Sequence, residues 1–167
     1  MVAEALVERW GLGRVKDRFR GRMAEGRVQH RASPALSATR VAVLCPQTYM
    51  NDTGRSVGPA RGALKLALER VVVVHDEIDL PFGEVRTRLG GGLAGHNGLK
   101  SVKRELGSAD FMRVRVGVGR PDSTDPEIVS AYVLGRFRES HQQVHELVDS
   151  ACEHVERVVL GHGEQER

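Results

Sequence analysis

The sequence predicts a single α/β domain in which a mixed, twisted sheet is flanked by helices. Three observations carry this reading. Four consecutive valines run into His75 at residues 71–75, a strand apolar on both faces, as in a sheet covered by helices on both sides. Residues 84–89 (EVRTRL) and 111–118 (FMRVRVGV) alternate with a period of two, the pattern of half-buried strands. Near the C-terminus Val144, Leu147, Val148, Ala151, Cys152, Val155, Val158 and Val159 recur at helical spacing. Strand and helix patterns interleave along 167 residues, the size of one domain.

In chain order, Met1, Val2, Ala5, Leu6 and Trp10 fall on one face of a helix, with Gly11 just past its end. Basic side chains at positions 14, 16, 18, 20 and 22 mark one face of an extended segment, either a solvated edge or a strip that faces phosphate. Val41 to Cys45 reads as a short strand closed by Pro46, and the polar run from Asn51 to Ser56 leads into a helix carrying Val57, Leu64, Leu66 and Ala67. The valine strand, read as central in its sheet, ends in the acidic cluster Asp76, Glu77 and Asp79. In the alternating strands Val85, Thr87 and Leu89 oppose Glu84, Arg86 and Arg88, while Met112, Val114, Val116 and Val118 point inward and Arg113 and Arg115 outward. Between them a glycine-rich loop feeds a helix from about Asn97 to Leu106, and residues 120–127 form a loop. Residues 139–167 are an acidic C-terminal helix and tail, with Gly161 just past the apolar stripe.

The charge is uneven. Lys and Arg total 25 against 22 Asp and Glu, a net +3, yet residues 139–167 hold seven acids and two bases, −5, which leaves +8 for residues 1–138. A basic body suits a polyanionic partner, although a solvated surface carries such charge equally well. No run approaches the ~20 apolar residues of a membrane span, and no leader pattern is present, so a cytoplasmic protein is expected. Cys45 and Cys152 lie among apolar neighbours and are read as buried thiols in a reducing compartment.

Among candidate motifs, Gly90, Gly92 and Gly95 formally match the dinucleotide fingerprint, with Asp110 about twenty residues on. The context rejects it. The preceding strand carries Arg86 and Arg88 on one face, and Asp110 precedes its strand. A phosphate-binding P-loop fails because Leu99 separates Gly98 from Lys100. What survives is a glycine-rich turn at a helix N-terminus, able to present backbone N–H groups to an anion, with Arg88 and Lys100 nearby. His141 and His145 are four apart but have no third ligand at sensible spacing, and no nucleophile elbow occurs. Asp76 is the residue that stands out, at the C-terminal end of the most apolar strand. It either orients a histidine or caps the next turn.

Three stretches, PQTYMNDTGRSV (46–57), VVVVHDEIDLPFGEVRTRLGGGLAGHNGLKSV (71–102) and DFMRVRVGVGRP (110–121), together resemble the bacterial peptidyl-tRNA hydrolase family in order and spacing. The resemblance implies an enzyme that cleaves the ester between a peptide and the 3′ ribose of tRNA. It implies no metal and no cofactor, a monomer in the cytoplasm, no membrane and no obligate protein partner. Carried over by motif, Asp76 resembles the acid that orients a general-base histidine. Tyr49, Asn51 and Asn97 resemble residues that bind the peptidyl-adenosine end, with Asn51 and Asn97 counted in the catalytic set, since an amide donates and accepts without adding charge. Arg88 and Arg115 fall where the family places cations for tRNA phosphate.

Two departures accompany the match. Leu93 and Ala94 follow the three glycines where a small or polar residue is usual. Family members also begin with a buried strand, a G-x-x-N-P-G turn and T-R-H-N-x-G-F, and Met1 resembles the residue directly after that segment. The resemblance therefore implies a fold whose first strand is missing, and impaired hydrolysis because the general-base histidine is absent. His75 and His96 already have places in the matched motifs. Either the start lies too late in a complete hydrolase, or the chain is a non-catalytic relative that binds the tRNA acceptor end.

Overall fold

The computed structural model describes residues 1–29 and 38–161. The last residues of the acidic tail, 162–167, lie outside them. Helix α1 (Val2–Arg9) forms where the apolar spacing places it, and Gly11 comes just after it with a φ of 56°. Strands β1 (Lys16–Arg18), β2 (Gly21–Val28) and β3 (Thr39–Pro46) make an antiparallel sheet in that order. The basic strip at 14–22 is thus not one extended face. The chain reverses at Phe19 and Arg20, so that Arg22 lies opposite Asp17 on the next strand.

A 3₁₀ turn at Met50–Asp52 leads into α2 (Gly54–Leu64). This helix stops short of Leu66 and Ala67 because Lys65 turns left-handed at its C-cap, with a φ of 53°. The second sheet is mixed, as expected: β6 (Met112–Gly117) is central, β4 (Val72–Glu77) runs parallel to it and β5 (Val85–Leu89) antiparallel. Helix α3 (Asn97–Leu106) connects β5 to β6. Helix α4 (Pro126–Leu134) opens on the Asp125 cap, and α5 (His141–Leu160) on a Ser140–Gln143 capping box.

The side chains of β4 explain its apolar run. Val72 and Val74 pack with Val114 and Val116 under α1 and α5, around Leu6, Leu147, Ala151, Cys152 and Val155. Val73 turns the other way, onto Leu99, Val102, Leu106 and Phe111 of the α3 side. Both faces are covered, which is what the valines report. The expectation of a central strand is corrected, since β4 pairs only with β6 among the described residues. Facial burial and edge pairing are separate properties, and hydrophobicity reads only the first. Val43 of β3 joins the same core as Val72 and Val74, so the two sheets share one helical layer.

Two further expectations are corrected. Cys45 is exposed although it shares a strand face with Val41 and Val43, because it lies at the end of β3, next to Pro46, past the part of that face that the core covers; Cys152 is buried, and neither is bonded to another cysteine. Arg113, expected to point outward, is 2% exposed. No described helix is long and apolar enough to cross a membrane.

Candidate active site

The C-terminal end of β4 and the N-terminus of α3 meet. His96 is the N-cap of α3, and its Nδ1 accepts the Leu99 N–H at 3.3 Å. That contact fixes the tautomer. The ring proton must sit on Nε2, which donates to Asp76 Oδ1 at 3.2 Å. The bond from His96 is the main reason that Asp76 is held below the usual carboxylate range, against the opposing effect of burial. Both ring nitrogens of His96 are therefore committed.

His75 lies beneath this pair. Its ring stands edge-on to His96, with centroids 5.1 Å apart. Its Nδ1–H donates to the Asp76 carbonyl at 2.7 Å, and its Nε2 is buried without a partner. Burial pushes the imidazole down to about 4 from 6.5, with His96 and Arg113 adding to the effect. The unfolded chain thus takes up a proton near pH 6.5 that the folded chain refuses until about pH 4. Stability should fall by up to about 3 kcal/mol as pH drops through that window. Urea denaturation from pH 7.5 to 4 measures the slope, and His75→Phe should flatten it; an unaltered slope assigns the loss to another group.

The TYMN and GHNG stretches meet at Gly98. A Cβ there would lie 2.6 Å from Met50 Sδ and 3.0 Å from His96 Cε1, so a larger residue would have to push the Met50 side chain aside. Arg104 Nη2 also donates to the Asn51 carbonyl at 3.4 Å, tying the 3₁₀ turn to α3. Asn51, Asn97 and Tyr49 are all exposed, Asn97 being the first residue of α3 and next to His96. Asp76 is partly open, its side chain 31% exposed. The arrangement offers an oriented carboxylate–imidazole pair beside two exposed amides.

The arginines separate into different roles. Arg88 lies opposite Arg113 and Arg86 opposite Arg115, so the four share one face of the second sheet. Arg88 is exposed and has no carboxylate partner among the described residues. Arg115 is partly buried and binds Glu77, with Nε and Nη2 each 3.0 Å from Oε2. Arg113 is occupied by the glycine-rich loop, donating to the carbonyls of Gly90 and Gly92.

The model of the family described as peptidyl-tRNA hydrolase matches residues 1–166. The chain belongs to the peptidyl-tRNA hydrolase family. It is 40% identical over 162 residues to the peptidyl-tRNA hydrolase of Rhodopseudomonas palustris, covering 96% of this chain and 75% of that protein. Over 129 residues it is 49% identical to the corresponding Mycobacterium sp. (strain KMS) protein, covering 74% and 66%. The crystal structure of peptidyl-tRNA hydrolase from Acinetobacter baumannii superposes with a TM-score of 0.80 at 32% identity, covering 96% of this chain and 77% of that one.

Two members of the site fall outside the set that the sequence singles out. His96 has no role assigned from sequence, and its only signal there is its place between the glycine-rich loop and Asn97. Glu77 comes directly after Asp76, but nothing local indicates that it would take Arg115.

Proposed function

We propose that this chain hydrolyses the ester linking a peptide to the 3′ ribose of tRNA. The pairing of Asp76 with His96, beside Asn97 and the Asn51 turn, is the observation that carries the reading. In the reaction water adds to the ester carbonyl and the bond to the ribose oxygen breaks, giving a peptide carboxylate and a free 3′ hydroxyl. Asp76 orients the attacking water, being held ionised by the bond from His96 and 31% exposed. Asn51 and Asn97 hold the peptidyl-adenosine end through their amides, and Tyr49 offers an exposed ring to the same end. The committed nitrogens of His96 leave it no lone pair for the water in this arrangement, which predicts slow turnover by these residues alone. The test is release of the N-acetyl amino acid from N-acetyl-aminoacyl-tRNA. Turnover above the blank that is lost in Asp76→Asn supports the reading; tRNA binding without turnover leaves acceptor-end binding as the function.

Arg88 supplies the free cation for phosphate, whereas Arg115 shares its charge with Glu77. Arg88→Glu should weaken tRNA binding about tenfold or more and flatten its salt dependence, with stability little changed. Arg115→Glu sets a second carboxylate against buried Glu77 and should destabilise the fold first. Titration of labelled tRNA at several salt concentrations, alongside urea denaturation, separates the two, and equal effects of both variants refute the division.

A further inference from the structure

Helix α2 has no N-cap of its own. Thr53 stands in the capping place, but its hydroxyl donates to the Met50 carbonyl at 2.8 Å and accepts nothing from the helix. The first N–H groups of a helix need partners from outside it. The Gly54 N–H finds one on another helix, donating at 2.9 Å to Ser101 Oγ of α3. Ser101 is 1% exposed, so this is a buried bond between elements far apart in sequence. The helices touch closely there, since a Cβ on Gly54 would collide with the Ser101 carbonyl oxygen.

Two more contacts repeat the pattern on neighbouring turns of α3. Met50 packs on Gly98 one turn before Ser101, and one turn after it Arg104 Nη2 donates to the Asn51 carbonyl and to Ser101 Oγ, 3.4 Å from each. Positions 98, 101 and 104 are three apart, so they lie one above the next along the helix. They form a rail on which residues 50–54 sit. The 3₁₀ turn spans only Met50–Asp52 and buries none of its residues, so these contacts decide where the Asn51 side-chain amide lies. Asn97 is on the first turn of the same α3. One helix thus carries one amide and places the other.

We propose that Ser101 and Arg104 are positioning residues for the substrate: through the Gly54 N–H and the Asn51 carbonyl they hold the Asn51 amide at a fixed offset from Asn97, so that one peptidyl-adenosine end meets both. This deepens the peptidyl-tRNA reading and rests on it. Two amides fixed in advance lose little freedom when the ligand arrives, whereas a loose turn would have to be ordered on binding, which weakens affinity. Arg104 serves this role from the surface. Its side chain is 61% exposed, so its removal leaves the core intact while the turn loses its tether.

The variants Arg104→Met, Arg104→Lys and Ser101→Ala test the rail in the full chain, by titration with N-acetyl-aminoacyl-tRNA and with the same tRNA lacking its 3′-terminal adenosine. The isotherms are measured on an Asp76→Asn background, so that the ester persists. Arg104→Met should weaken the intact ligand about fivefold and the shortened tRNA hardly at all, with the melting temperature unchanged, and Arg104→Lys should recover part of the loss. Ser101→Ala should weaken the intact ligand by a similar factor and lower the melting temperature by about 4 °C, since the Gly54 N–H is left buried without a partner. A double-mutant cycle separates positioning from support of the fold. Once Asn51→Ala has removed the amide, neither Arg104→Met nor Ser101→Ala should weaken the intact ligand further, whereas a merely structural role would add its effect undiminished. Where the chain with Asp76 hydrolyses the ester, both variants should raise KM more than they lower kcat. Equal weakening of both tRNAs by Arg104→Met would make Arg104 a direct phosphate contact and overturn the proposal. Unchanged affinities, effects that add to Asn51→Ala, or a wild type with no preference for the intact end overturn it too, even where hydrolysis is found. The expected pattern in a chain without turnover upholds the positioning role and rejects the hydrolase reading.

Discussion

Replacing Asp76 with Asn should lower kcat for peptidyl-tRNA hydrolysis by about 10²–10⁴-fold while tRNA affinity changes little. The substitution keeps the shape and an oxygen that accepts the His96 Nε2–H, but removes the negative charge that the hydrogen bond from His96 holds in place. Binding should survive because the proposed cation for the tRNA backbone, Arg88, lies elsewhere, on β5, and a carboxylate contributes nothing to holding a polyanion. His96→Ala provides the contrast. It removes the α3 cap, at about 1 kcal/mol, and frees Asp76, yet it should lower kcat less, because neither ring nitrogen is available to take a proton from water. Single-turnover assays with tRNA-binding isotherms measure both. Turnover insensitive to Asp76→Asn, or abolished by His96→Ala alone, would reverse the two roles.

The parts of this site that were legible in the sequence are those governed by local pattern. The valine run of β4 and the stripe of α5 announce themselves because burial of one residue predicts burial two, three or four positions on. β2 escapes that logic. Its sequence GRMAEGRV buries Met23, Ala24 and Val28 but interrupts the alternation with Glu25 and Gly26, the glycine lying against Leu12. α4 escapes for the opposite reason: Ile128 and Leu134 are 50% and 79% exposed, so it has no buried face to impose a period. Asp76 could be picked out as a carboxylate ending an apolar strand. Its partner could not, because His96 reaches it across β5 and the glycine-rich loop, a separation of 20 residues. Arg113 and Arg115 are indistinguishable by alternation; the loop carbonyls above one and Glu77 beside the other decide their fates, and both are tertiary facts.

Arg113→Met should destabilise the fold by about 3 kcal/mol and loosen the segment that delivers His96. The Arg113 guanidinium forks onto the carbonyls of Gly90 and Gly92, in a stretch where Gly90, Gly91, Ala94 and Gly95 all have positive φ. Backbone of that kind has no ladder of its own, so its order depends on partners from elsewhere. Methionine fills much of the volume but leaves those carbonyls unpaired, and the freed loop runs directly into the His96 cap through the His96 N–H, which donates to the Leu93 carbonyl at 2.8 Å. Arg113→Lys should recover only part of the loss, since one ammonium cannot reproduce the fork. Urea midpoints should rank wild type above Lys above Met, and amide exchange at 90–99 should accelerate in the same order. A lysine variant equal to wild type would show that charge alone suffices, and a destabilised methionine variant with unchanged exchange in the loop would separate Arg113 from the site. The expected coupling makes a buried arginine, with no contact to substrate, a determinant of where the Asp76–His96 pair sits.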